Sequence, residues 1–162
     1  MNGRAIFGIS VLMSFLAFGL LTSLYLEPAL SRAAVTDALT ALVVIHTYRF
    51  IGLAFLVPGV VGADLSPALA RPAAYGDLIA AILAVVATLM LHAHAAGALA
   101  VVWIFNVWGA LDLLNAMFQG VRRSGSHGVG RLGAAFFIPT VVVPALLVTH
   151  GLIFWLLLRA GH

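Results

Sequence analysis

Residues 38–62 read ALTALVVIHTYRFIGLAFLVPGVVG, an apolar run of 25 residues in which Arg49 is the one arginine or acidic side chain. A helix needs about 20 predominantly apolar residues to cross the ~30 Å hydrocarbon core of a bilayer. The residues Thr36 and Asp37, just before the run, are typical of a helix N-cap. The stretch therefore predicts a transmembrane helix with a charged side chain near its middle.

Four further runs of similar length lie on either side of this one, at residues 5–26, 72–92, 97–119 and 133–158. Together the five predicted spans occupy 117 of the 162 residues, and the connections between them are short. Short connections favour antiparallel neighbours. We therefore expect an all-α membrane protein, with residues 1–162 forming one domain that is a compact bundle of five transmembrane helices.

The composition supports this class of protein. Hydrophobic residues make up 64% of the chain and charged residues 8%, whereas soluble domains carry roughly 25% charged residues. Because there is no cysteine, disulfides, thiolate nucleophiles and cysteine-based metal sites are excluded. The sequence also lacks a glycine-rich phosphate loop and the H-E-x-x-H metalloprotease motif, so no catalytic residue is assigned.

The eight basic residues, all arginine, predict the orientation. One side of the predicted bundle carries five of them, Arg4, Arg71, Arg122, Arg123 and Arg131, and the other side carries Arg32 and Arg159. The positive-inside rule then places the N-terminus in the cytoplasm and the C-terminus outside, in a bacterial cytoplasmic membrane. The arginines are too scattered to form a nucleic-acid-binding patch.

Arg49, the eighth arginine, lies in the middle of the second span, where an unpaired charge would be costly. By depth, Asp112 on the fourth span is the best candidate partner and Asp77 on the third is the second. Asn106 shares an inward-facing helical stripe with Asp112. We therefore expect Arg49 and Asp112 to form either a structural ion pair or a site that binds a ligand or handles protons. Asn106 is expected either to hydrogen-bond to a neighbouring helix or to line that site.

His46 and His150 each lie eight residues, or about 12 Å, inside the predicted outer ends of the second and fifth spans. Two imidazoles at one depth on different helices are the arrangement needed to ligate haem b or a transition metal. His92 and His94 are expected at the outer interface, where they could add ligands. The alternative is that each histidine makes one structural hydrogen bond and binds nothing.

Three functional hypotheses follow from these residues. The first is a membrane redox or metal-handling protein that uses His46, His150, His92 and His94. The second is a carrier or binding protein for a small solute, a proton or a hydrophobic ligand around Arg49. The third is a non-catalytic accessory subunit. The expected partners are the lipid bilayer and either further copies of the chain or a larger membrane complex.

Overall fold

The computed structural model describes residues 2–123 and 129–160, and this part of the chain contains five helices long and apolar enough to cross a membrane. We number them α1 (Gly3–Leu30), α2 (Val35–Leu56), α3 (Pro67–His92), α4 (Ala98–Arg123) and α5 (Ile138–Ala160). The prediction of five apolar, membrane-length helices is thereby confirmed.

Helices α2, α3, α4 and α5 form a ring in which each helix contacts the next and α5 closes the ring against α2. Helix α1 lies outside the ring along α5, and no residue of its segment Gly3–Leu21 is buried. The ring therefore encloses the interior of the bundle.

Alanines on α3 allow its neighbours to approach closely, because Ala74, Ala80, Ala84 and Ala87 are completely buried. Two apolar cores fill the ring. The larger one occupies the ends of the helices near the α3–α4 turn, and the smaller one lies toward the start of α5. Most of the buried polar side chains are placed between these two cores along the helices.

Helix α2 changes its winding halfway along its length. Residues Val35–Ile45 are α-helical, whereas His46–Leu56 form a 3₁₀-helix. Three residues per turn place every third side chain on one line, and the buried residues of this half are His46, Arg49 and Gly52. The 3₁₀ half therefore places His46 and Arg49 on the same inward face.

The predicted limits of the helices differ from the observed ones. Helix α1 continues to Leu30 instead of ending at residue 26, and α4 continues to Arg123 instead of ending at residue 119. Helix α2 ends at Leu56 rather than at residue 62, because Pro58 and Gly59 (φ 86°) follow. Helix α3 begins one turn earlier than predicted, after Ser66, so that Pro72 lies inside the helix rather than at its first position.

Helix α5 was predicted to begin at residue 133, but Gly133 has a φ of 52° and interrupts the helical backbone. Two backbone hydrogen bonds join this segment to the connection that follows α2: Gly62 N–H donates to the carbonyl of Arg131 (2.8 Å), and Ala134 N–H donates to that of Val60 (2.9 Å). Helix α5 then starts with a π-helical turn, Ile138–Val142. Residues 124–128 of the predicted basic loop lie outside the described residues.

Candidate functional site

The guanidinium group of Arg49 lies at the centre of the ring, and its side chain is fully buried. Nε donates to Oδ1 of Asp77 (2.8 Å), and Nη2 contacts Oδ1 of Asp77 (2.7 Å) and Oδ2 of Asp112 (2.8 Å). Nη1 donates to the carbonyl of Gly109 (3.2 Å) and to Nε2 of His150 (3.4 Å). Each of the three guanidinium nitrogens therefore donates at least one hydrogen bond, and Nη2 is also ion-paired with Asp77.

These contacts confirm that Arg49 pairs with Asp112, the partner expected first, and show that Asp77 is a partner as well. The exposed fractions of the Asp77 and Asp112 side chains are 9% and 13%, whereas Arg49 has none. Each carboxyl group also keeps one oxygen that Arg49 does not contact. The network thus holds two carboxyl groups around one guanidinium group.

Two glycines make room for the carboxyl groups. A Cβ atom added to Gly52 on α2 would overlap the carboxyl group of Asp77, and one added to Gly76 on α3 would overlap that of Asp112. Both glycines therefore provide space for a charged group inside the bundle.

A third glycine, Gly109 on α4, brings the backbone of that helix against the network. An added Cβ would lie 2.6 Å from Nη1 of Arg49 and 2.6 Å from Cε1 of His150. The same residue supplies the carbonyl that accepts from Arg49. Gly109 therefore serves the network both by its missing side chain and by its backbone.

Asn106 holds His150 from the other side. The amide Nδ2 of Asn106 donates to the backbone carbonyl of His150 (3.2 Å), which points its Oδ1 at Nδ1 of the imidazole, 2.6 Å away. Since an amide oxygen can only accept, Nδ1 of His150 carries the proton. Its Nε2 is then free to accept from Arg49.

His46 is completely buried and lies next to His150, with the two ring centroids 4.3 Å apart. Its Nε2 is 3.0 Å from the hydroxyl of Thr149, which donates its own proton to the carbonyl of Leu146 (2.9 Å). His46 therefore donates through Nε2. Its Nδ1 has no hydrogen-bond partner among the described residues.

The structure brings together His46 and His150 but leaves the other two candidate ligands apart. A bis-histidine haem needs its imidazoles on opposite faces of one porphyrin, and rings 4.3 Å apart leave no space for one between them. His92 and His94 are exposed around the α3–α4 turn. Within residues 2–123 and 129–160, no group of three or more His, Cys, Asp or Glu side chains is placed to hold a metal ion.

A cavity of about 90 Å³ reaches the network at Asp77 and Asp112. It extends from these carboxyl groups to the beginning of α3 at Ser66 and the last turn of α4 at Gly120. Most of its other lining residues are apolar, among them Phe55, Leu69, Leu113, Met117 and Ile138. The two acidic side chains are thus the polar end of a mainly apolar space.

The arrangement has a clear chemical character. Each guanidinium nitrogen of Arg49 already has an acceptor, so an anion would have to compete with these acceptors. The carboxyl groups that hold it are its only partners that line the cavity. At this end the site therefore offers hydrogen-bond acceptors and negative charge, whereas Ser66 and Arg131 line the opposite end of the cavity.

Comparisons with known proteins support no further detail of the chemistry. No curated protein and no solved structure matches the chain. One family model matches residues 6–158, which include all five predicted spans almost completely. The chain therefore belongs to the family described as "Domain of unknown function (DUF8737)".

Proposed function

We propose that the chain is a membrane-embedded binding or carrier protein for a small molecule with an apolar body and a cationic, hydrogen-bond-donating end. The observation that carries this proposal is the cavity that ends at Asp77 and Asp112. A purely structural ion pair has no need of a cavity at its carboxyl groups.

The charge of the network favours a cationic end on the ligand. Two carboxylates surround one guanidinium, which leaves one negative charge in excess when both are ionised. An uncompensated charge inside a membrane protein is costly, and a proton or a cation can compensate it. The guanidinium group of Arg49 is fully buried and does not line the cavity. A cation in the cavity can therefore pair with the carboxyl groups without displacing Arg49.

The lining of the cavity favours a small apolar body. Ligand sites are typically apolar with a few polar groups that fix orientation, and this cavity has that composition. A volume of about 90 Å³ has room for several water molecules or a short hydrocarbon chain.

The distribution of the arginines indicates the side of the membrane toward which the cavity opens. The cavity ends near Ser66, Gly120 and Arg131, on the side that carries five of the seven arginines outside the bundle interior. By the positive-inside rule we infer that the cavity faces the cytoplasm of a bacterial cell, with the N-terminus on the same side.

The redox hypothesis has less support from the geometry. It requires His46 and His150 to ligate a cofactor, but both rings contact each other, and both nitrogens of His150 are already hydrogen-bonded. Haem or metal binding by the histidines stays a prediction, which absorption spectroscopy and metal analysis of the purified protein would test.

Calorimetric titration of the protein in lipid nanodiscs tests the proposal with three probes of equal chain length: n-butylammonium, n-butanol and n-butyrate. We expect saturable binding of n-butylammonium, weaker binding of n-butanol and none of n-butyrate. Asp112→Asn should weaken n-butylammonium binding about tenfold or more, since hydrogen bonds to charged groups contribute roughly 1.5–3 kcal/mol. Asp37→Asn, at an exposed position near the start of α2, is the matched control.

A second variant separates loss of the cavity from loss of charge. Ala116 lines the cavity, and Ala116→Phe should abolish binding by filling it. Ala100→Phe, at an exposed position of the same helix, should bind like the wild type. Equal binding of all three probes, or unchanged binding by Ala116→Phe, would refute the proposal.

A further inference from the structure

The outward face of α4 carries a regular stripe of large side chains. Its spacing alternates between four and three residues, which is the spacing of the contact positions in a coiled coil. All five residues are exposed, with Leu111 at its centre 61% exposed. The stripe consists of Ile104, Trp108, Leu111, Asn115 and Phe118.

Asn115 is a polar residue in a stripe whose other side chains are suited to contact with lipid. It lies five residues, or about 8 Å, before Gly120, the end of the membrane-length part of α4. Its Oδ1 accepts from Nε2 of Gln119 (3.1 Å), but its own amide N–H groups have no acceptor in the described ranges. A polar group without a hydrogen-bond partner in the hydrocarbon core is energetically unfavourable.

Trp108 carries a second N–H donor on the outward face of α4. It lies seven residues before Asn115 and therefore on the same side of the helix. It is 44% exposed near the middle of α4, and no hydrogen bond of its indole N–H is found in the part of the chain that the structure describes. Tryptophans that face lipid are usually found at the membrane–water interface. Two donors on one helical face therefore lack partners at membrane depth.

We propose that this stripe is the contact surface of a homodimer, in which α4 packs in parallel against α4 of a second copy. A two-fold axis along the membrane normal brings the stripe against itself at equal depth. An asparagine carries both donors and an acceptor, so Asn115 of each copy can bond to its counterpart. A single asparagine among apolar contact positions also fixes the register of a helix pair.

A second copy fits this face better than a lipid does, because a lipid chain offers no hydrogen-bond acceptor at this depth. The interface lies away from the cavity, since Asn106 and Asp112 point into the ring from the other side of α4. Dimerisation therefore leaves the ligand site accessible. This proposal does not depend on the function proposed above.

Because the chain contains no cysteine, single-cysteine variants of the full-length protein can locate the contact. Leu111→Cys in native membranes should form a disulfide-linked dimer on oxidation with copper phenanthroline. Ile82→Cys, which lies near the middle of α3 and is 56% exposed at the wild-type residue, is the control and should stay monomeric. Adding Asn115→Leu to Leu111→Cys should lower the cross-linked fraction several-fold.

Equal cross-linking of the two single variants, or none at Leu111→Cys, would overturn the proposal. Single-molecule photobleaching of a fluorescently labelled fusion of the wild-type chain gives an independent measurement. We expect two bleaching steps for the wild type and a majority of single steps for Asn115→Leu. Single steps for the wild type would contradict a dimer even if a cysteine variant failed to accumulate.

Discussion

Nη1 of Arg49 on α2 lies 3.4 Å from Nε2 of His150 on α5. This contact joins the ion pairs of α2, α3 and α4 to the remaining helix of the ring. Each of the four ring helices thus contributes at least one group to a single network at mid-membrane depth. Changes to this network should therefore affect the stability of the whole bundle.

Replacing Arg49 should be strongly destabilising. Arg49→Leu leaves the carboxyl groups of Asp77 and Asp112 without their cation, and breaking a buried pair on one side typically costs about 3–5 kcal/mol. Arg49→Lys should recover part of the loss, because lysine keeps the charge but has three donors instead of five. Unfolding in mixed detergent micelles measures the difference. Arg32→Leu, at an exposed position between α1 and α2, is the matched control and should leave the free energy of unfolding nearly unchanged.

Gly109 and Gly151 should respond to alanine in opposite directions. Gly109→Ala places a methyl group against Arg49 and His150 and should lower the free energy of unfolding by about 1–3 kcal/mol, as overpacking does. Gly151 has no atom within 4 Å of an added Cβ, so Gly151→Ala should stabilise α5 by about 0.5–1 kcal/mol. Melting temperatures of both variants provide the test. A neutral Gly109→Ala would show that Arg49 does not lie against α4.

The two buried histidines should be opposite tautomers. The hydrogen bonds place the proton of His150 on Nδ1 and that of His46 on Nε2. Nitrogen-15 NMR of histidine-labelled protein distinguishes a protonated from an unprotonated ring nitrogen, and each single His→Gln variant assigns the signals. Asn106→Leu should alter the signals of His150 more than those of His46. Finding the same tautomer at both positions would contradict the network.

The arginine distribution predicts opposite locations for two reporter fusions. A reporter placed after residue 162 should be active outside the cytoplasm, and one inserted between residues 122 and 131 should be active inside. Exchanging the charge bias, by removing Arg122 and Arg123 and adding arginines beside Arg32, should produce a mixed orientation. A cytoplasmic C-terminus in the wild type would place the cavity on the opposite face of the membrane.

Much of this architecture could be predicted from the sequence. The length of each apolar run and the cost of burying a charge within it can be judged from that run alone. Depth counting along the helices was enough to pair Arg49 with Asp112 and to place His46 level with His150. The distance between the two histidines across the bundle depends on how the four ring helices pack against one another. The sequence of one apolar run does not determine that packing. Rings in contact and rings on either side of a slot are therefore equally compatible with the sequence.

Two features lacked a sequence signal that could be recognised in advance. The first is the 3₁₀ half of α2, which is a mainly apolar stretch like the α-helical half and packs closely against α3. The second is the orientation of Trp108 and Asn115 on α4, which face outward. The inward-facing stripe was expected for Asn106 and Asp112, and these two residues do join the network.

The winding of α2 has a mechanical consequence. In a 3₁₀-helix each residue advances about 2.0 Å, compared with about 1.5 Å in an α-helix. Rewinding His46–Leu56 as an α-helix would shorten these eleven residues by roughly 5 Å and turn Gly52 about 120° away from His46. Arg49 would leave its carboxyl partners, and Asp77 would lose the space that Gly52 provides. A change in pitch within one half-helix is thus sufficient to open the network, with the other three helices of the ring standing still.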